Sequence, residues 1–394
     1  MNRLELVGET LYAALNAIAV VGPAWLKALA PPIWFERYQQ RFCDYRLPKE
    51  DRQRQVLAEI MGADGYFLLE AIYAATPPTW LREMPQVRLL RQVWLQNYYQ
   101  DEERVAWRPA GQSAPAGQMI ASPYDPDTRY SAKRGETWIG YKVHLTETCD
   151  PDAPHLITHV ETTPATEQDS EVVERLHDDL ARSQLLPREH LVDTSYSSGE
   201  LLCTSQDHYG IDLVCPLRPD NSWQAQAQKG FSLYDFHVDW EAHQVTCPMG
   251  KTSTHWKAGT GPRGKPTIQV PFTRVTCADC PARALCTHSK TSGRGLTLPP
   301  TQAHHEQLHA ARARQQTPEF RQRYAARSGI EGTLSQAVYT LGMRQARYRG
   351  LIKTRLQQHC TAAAINLSCI VAWLMGYTYR PARLPAFAAL SASF

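Results

Sequence analysis

Excess charge, a targeting segment and regularly spaced cysteines are all wanting in this chain. The formal charge is only +3 over 394 residues, too little to imply a nucleic-acid partner from the sum alone. No leader is evident: Glu5 and Glu9 stand where a signal peptide needs positive charge and an unbroken apolar run. The most apolar late stretch, Ala362 to Tyr377, is interrupted by Asn366 and Ser368 and falls short of the ~20 residues that span a bilayer; it reads as a buried helix. These two absences predict a cytoplasmic protein with no membrane partner. Ten cysteines are then reduced thiols or metal ligands rather than a disulfide framework. The most telling shortage is local. Between Arg312 and Arg355 the only acids are Glu319 and Glu331, among many Lys and Arg.

An apolar content typical of ordinary soluble proteins excludes a disordered or fibrous chain, and the length allows more than one folded unit. Residues 1–103 read as a helical region: Leu4, Val7, Leu11, Ala14, Leu15 and Ile18 recur near 3.6, with Pro23, Pro31-Pro32 and Pro77-Pro78 as punctuation. Residues 104–135 form a Pro/Gly/Ser-rich connector expected to be irregular. From 136 to 215 the pattern is α/β. Strands are predicted at Trp138–Thr146, His155–Thr163, His190–Asp193 and Ile211–Cys215, with a helix after an Asp169 N-cap and another at Ser197–Ser205. Residues 216–300 are a Gly/Pro-punctuated insertion, residues 301–378 return to helices, and 379–394 are a tail.

The organising stretch is Tyr324-Ala-Ala-Arg327-Ser-Gly-Ile-Glu331. Thr317-Pro318 marks a fresh helix start, and a helix continuing through the stretch would bring Tyr324, Arg327 and Glu331 to one face. A lone acid among arginines is ordinarily a solvated salt-bridge partner; the sharper reading is a metal ligand beside a phosphate-gripping Arg and Tyr. Spacing alone leaves both open. However, Y-x2-R-x3-E resembles the signature around the last acid of DDE transposases of the IS4-like superfamily. Ser122-Pro-Tyr-Asp-Pro-Asp-Thr-Arg-Tyr, Gly140-Tyr-Lys-Val-His-Leu-Thr-Glu-Thr, Leu191-Val-Asp-Thr, Gly329-Ile-Glu-Gly-Thr-Leu-Ser-Gln and Arg344-Gln-Ala-Arg-Tyr-Arg-Gly-Leu resemble, in order, the IS1182 family of insertion-sequence transposases. Val338 departs from the pattern, which often has a basic residue seven positions after the Glu; that residue's contact is either missing here or made by Arg344.

The resemblance implies a ribonuclease H-like catalytic core, metal-dependent DNA strand cleavage and transfer, and Mg²⁺ or Mn²⁺ held by Asp193 and Glu331. Tyr324 and Arg327 would position the substrate or the Glu, and Arg344, Arg347 and Arg349 would meet phosphates. Double-stranded DNA, at element ends and target, is the implied partner, and a homo-oligomer the implied assembly. A strand-end Asp capping the next helix is the plainer role for Asp193. The family's first Asp would precede Met1, so the expectation is an N-terminally truncated copy lacking the first strand, since Asp125 and Asp127 sit in a Pro-containing turn. The rival function is a non-catalytic remnant that binds DNA or intact transposase and inhibits transposition; a nuclease on the same fold is a third.

Cys247, the pair Cys277-Ala-Asp-Cys280 and Cys286 form a second constellation. C-x2-C spacing with further Cys nearby can close a tetrahedral thiolate zinc site, yet the outer gaps are irregular, so structural Zn²⁺ and plain reduced thiols both stay open. Trp223 offers a ring for base stacking, or a surface-packed side chain.

Overall fold

The computed structural model describes residues 1–101, 104–218, 220–227, 229–261 and 264–376; the tail and Tyr377 lie outside them. In chain order the helices α1 (Arg3–Val21), α2 (Pro23–Leu29), α3 (Pro32–Arg37), α4 (Asp51–Tyr73) and α5 (Pro85–Asn97) lead into strands β1 (Tyr98–Asp101), β2 (Arg104–Trp107), β3 (Arg129–Lys133), β4 (Glu136–Glu147) and β5 (Ile157–Pro164). Next come α6 (Asp169–Arg182), β6 (Glu189–Leu191), α7 (Gly199–Tyr209), β7 (Asp212–Val214), α8 (Trp223–Gln226), β8 (His237–Asp239), β9 (Gln244–Thr246), β10 (Lys257–Thr260) and β11 (Pro266–Pro271). The chain continues through α9 (Arg274–Ala278), α10 (Arg283–Cys286), β12 (Gly295–Leu298), α11 (Gln302–Arg314), α12 (Pro318–Ala325), α13 (Gly329–Tyr339) and α14 (Leu351–Leu374). The class is thus mixed α/β. Two compact units form: Met1–Thr146 with Val160–Glu167 and Ala337–Phe394, and Glu147–His159 with Gln168–Gln336.

In the first unit α1 starts at a capping box, Asn2 accepting from the Glu5 N–H while Glu5 accepts from the Asn2 N–H. All six residues of its predicted apolar stripe are buried. This helix is long and apolar enough to cross a membrane by length and composition, but its apolar face packs on α4 and α5 as core. Glu9, on the same helix, is buried too. Its Oε2 accepts from Arg41 Nε at 3.1 Å and from the Tyr124 hydroxyl at 2.5 Å, and its Oε1 from the Phe42 N–H at 2.5 Å. On α4 two glycines admit aromatic rings: a Cβ at Gly65 would lie 2.1 Å from Trp94, and one at Gly62 2.6 Å from Tyr98. Trp94 Nε1 donates to the Gly62 carbonyl at 2.9 Å.

The connector holds more order than its composition suggests. β1 and β2 make an antiparallel hairpin, and β3 pairs antiparallel with β4 in a three-stranded sheet, β3-β4-β5. Asp125 and Asp127 have turn-and-cap duties, as their Pro-containing context predicts. Asp125 accepts from the Tyr141 hydroxyl and the Gly350 N–H, and Asp127 from the Leu351 N–H, closing the N-terminus of α14. That helix corrects the buried-helix expectation for Ala362 onwards. Ala362 and Ile365 are buried, whereas Leu367, Val371, Trp373 and Leu374 are exposed.

In the second unit α6 begins one residue earlier than predicted. Gln168 is the N-cap, reciprocally bonded with Glu171, and Asp169 is the first helical residue. β6 and β7 run parallel in register Glu189↔Asp212, His190↔Leu213, Leu191↔Val214. The predicted insertion contains two small antiparallel sheets, β8-β9 and β10-β11-β12.

His177 on α6 and His190 on β6 meet at 3.0 Å, Nε2 to Nδ1. Burial holds both neutral, pulling His177 down to about 4 and His190 to about 3, the latter also repelled by His177. Unfolded, both would take up protons near pH 6.5; folded, they refuse them until far more acid. Stability is therefore full above pH ~6.5 and falls as pH drops from there toward 4, by up to about 1.4 kcal/mol per pH unit per histidine. Urea midpoints of the wild type should decline from pH 7 to pH 5, and those of a His177→Leu/His190→Leu variant should decline less. Parallel profiles would refute the assignment.

Candidate active site

The site is built where β6 runs out. Val192 N–H extends the parallel ladder to the Val214 carbonyl at 3.0 Å, so the next residue, Asp193, leaves the sheet at its carboxyl end. Its side chain is exposed, and Oδ1 accepts from the Thr194 N–H at 2.6 Å. It caps a 3-10 turn, Thr194–Tyr196, and not the following helix, whose N-cap is Ser198. The plainer helix-capping role is thereby corrected.

Facing this strand end is the helical stretch from Thr317. Thr317 caps α12, Pro318 is its first residue, a 3-10 turn Ala326–Ser328 follows, and α13 resumes at Gly329. Tyr324 stacks on Phe320 at 5.6 Å, and its hydroxyl donates to the Val192 carbonyl at 3.2 Å. That bond ties the helix to the residue preceding Asp193. Arg327 Nη1 donates to Glu331 Oε1 at 3.0 Å. The Tyr324 hydroxyl is raised above its ordinary pKa by burial, is opposed by Arg327, and is raised further by the charges of Asp193, Cys215 and Glu331. One phenol thus senses both carboxylates.

Two neighbours escaped sequence reasoning. Tyr196 is raised by burial and by Asp169 and Asp193, and lowered by Arg327; its place three residues after Asp193 was the available signal. Glu147 is nearly inaccessible, its pKa raised by burial and lowered by a hydrogen bond to Thr333 and by His155. Thr333 is two residues past Glu331, so this buried carboxyl holds α13 from beneath. A strand-end Glu in a polar segment gave no hint of burial.

The arginine-rich stretch proves less uniform than its composition. Arg314 makes paired 2.8 Å bonds to Asp212, Arg323 contacts Glu189 and Asp212, and Arg312 contacts Tyr234. These cations hold α11 and α12 to the β6-β7 sheet and to the insertion, so part of the local excess of positive charge is met by acids distant in sequence. Arg344, Arg347 and Arg349 belong to the first unit and are exposed in a non-helical segment, Arg349 standing 5.2 Å from the Tyr124 ring. Trp223 stacks on His288 at 4.0 Å, so its ring is occupied. Cys247, Cys277, Cys280 and Cys286 line one cavity in the second unit.

The carboxylates suit a hard divalent cation: oxygen donors, exposed, with Asp193 Oδ2 and Glu331 Oε2 making no hydrogen bond among the described residues. No curated protein and no solved structure matches the chain. Residues 246–371, which include Tyr324, Arg327 and Glu331, match the family model described as a transposase DDE domain, and that match supports a DDE transposase.

Proposed function

We propose that the chain is an IS1182-like transposase with a ribonuclease H-like core, acting on double-stranded DNA in the cytoplasm as a homo-oligomer. Asp193 and Glu331 would hold Mg²⁺ or Mn²⁺, and the bound ion would supply electrostatic stabilisation to the phosphoryl oxygens under attack. The carrying observation is the hydrogen bond from the Tyr324 hydroxyl to the Val192 carbonyl, which ties the helical stretch leading to Glu331 to the strand end that carries Asp193. In this reading Tyr324 fixes the spacing between the two acids. Arg327 orients Glu331 and leaves its remaining N–H groups for a phosphate. Arg344, Arg347 and Arg349 would contact the DNA backbone, positioning it without reading sequence.

The test pairs a binding readout with an activity readout. Fe²⁺ substituted for Mg²⁺ should cut the polypeptide by local hydroxyl radicals near Asp193 and Glu331, and Asp193→Asn or Glu331→Gln should abolish that pattern. Cleavage or joining of element-end DNA should fall about 100-fold or more in either variant, as for loss of a group acting in the transition state. Radical cuts elsewhere, or activity that survives Glu331→Gln, would reject the ligand assignment.

A further inference from the structure

The insertion brings Cys247 to three thiols that lie about thirty residues further along the chain. Cys247 follows β9, Cys277 lies on α9, Cys280 follows that helix, and Cys286 ends α10. All four line a single cavity of about 30 Å³. Three of them, Cys247, Cys277 and Cys286, also pack against an apolar core of Phe236, Val245, Ile268, Val270, Phe272, Leu296 and Leu298. We propose that these four cysteines form a structural tetrahedral zinc site that braces the insertion.

Three observations carry this. First, the backbone around the thiols is shaped for thiolates. The turn Cys247–Lys251 is closed by Cys247 N–H to the Lys251 carbonyl at 2.8 Å and Gly250 N–H to the Cys247 carbonyl at 2.9 Å. Gly250 sits at φ +74, in the left-handed region. The turn then aims the Lys251 N–H at Cys247 Sγ, 3.4 Å away, and an N–H donor to sulfur favours the charged, metal-binding form. Second, the other loops are fixed by arginines bonded to carbonyls of ligand residues: Arg283 to Cys277 at 2.9 Å and Arg294 to Cys286 at 3.0 Å. Neither guanidinium is needed as a counter-ion to an acid there, so each orients a loop and leaves positive charge beside the sulfurs. Third, the surrounding core is small. Two short sheets around seven buried apolar residues give little burial to offset chain entropy, which is the situation in which small folds add a metal. The chemistry selects the ion. Four soft sulfur donors suit zinc.

This inference is independent of the Asp193 and Glu331 assignment, and its test reads metal rather than strand transfer. Full-length protein purified under reducing conditions with Zn²⁺ present should carry a single tightly held zinc per chain by elemental analysis. Cys277→Ser/Cys280→Ser should lose it, while Cys360→Ser, at an exposed thiol on α14, should keep it. To guard against misfolding of the double variant, wild-type protein refolded with Co²⁺ alone should show the visible bands and thiolate charge-transfer absorption of tetrahedral sulfur ligation, lost in Cys247→Ser. Zinc-free wild-type protein, a zinc content unchanged in Cys277→Ser/Cys280→Ser, or a cobalt spectrum of octahedral oxygen type would each overturn the site.

Discussion

Replacing Trp94 with alanine should destabilise the helical unit by about 3–5 kcal/mol, the range for deleting a large buried aromatic. The indole is 1% exposed and lies in the slot that Gly65 leaves open on α4. Removal leaves a cavity bounded by a helix backbone that cannot collapse without moving α4 toward α5. It also strips the Gly62 carbonyl of its indole N–H partner. Trp94→Phe separates the two effects: it retains most of the volume and loses the hydrogen bond, worth roughly 1 kcal/mol. Urea unfolding followed by far-UV circular dichroism would read both. A Trp94→Ala midpoint close to that of Trp94→Phe would show that the slot closes after all.

The second large effect is expected at Glu9. Its carboxylate gathers the Arg41 guanidinium, the Phe42 N–H and the Tyr124 hydroxyl, and the side chain is only 1% exposed. Glutamine has the same shape but presents an NH₂ to at least one of these donors, leaving donor facing donor. The loss should be about 1–3 kcal/mol, the cost of leaving buried donors unsatisfied, since the Arg41 side chain is 60% exposed and its charge stays solvated. Tyr124 offers an internal reporter. Burial and then Glu9 push its hydroxyl up to about 12; without the carboxylate the phenol should ionise at lower pH. A Glu9→Gln protein with wild-type stability and an unmoved Tyr124 titration would contradict this account.

Glu9 also shows where sequence reading stops. Along α1 the period of the apolar residues disclosed the helix and its core face, because that face is a property of one segment. The burial of Glu9 on the same helix is not legible from that period, since its partners lie 32 to 115 residues away. The ion pairs of Arg314 and Arg323 stay hidden for the same reason: Asp212 and Glu189, which hold them, are distant in sequence. Local spacing made Thr317-Pro318 legible as a helix start, and the Pro-containing turn made Asp125 and Asp127 legible as turn residues. It did not reveal β2 and β3 inside a Pro/Gly-rich connector, where pairing partners supply what composition lacks. At the site, Y-x2-R-x3-E pointed to the helix and Leu-Val-Asp to the strand end; the Tyr324–Val192 bond between them belongs to tertiary structure alone.

The 3-10 turn at Ala326–Ser328 has a geometric corollary. In an unbroken α-helix seven residues return Glu331 to within about 20° of the azimuth of Tyr324; three residues wound at three per turn add roughly 60°, carrying the carboxylate to the opposite side by about 40°. The acid's bearing is therefore set by backbone pitch as well as by residue count. A substitution that merely relaxed those three residues into regular winding would leave every side chain in place and still swivel the carboxylate out of alignment.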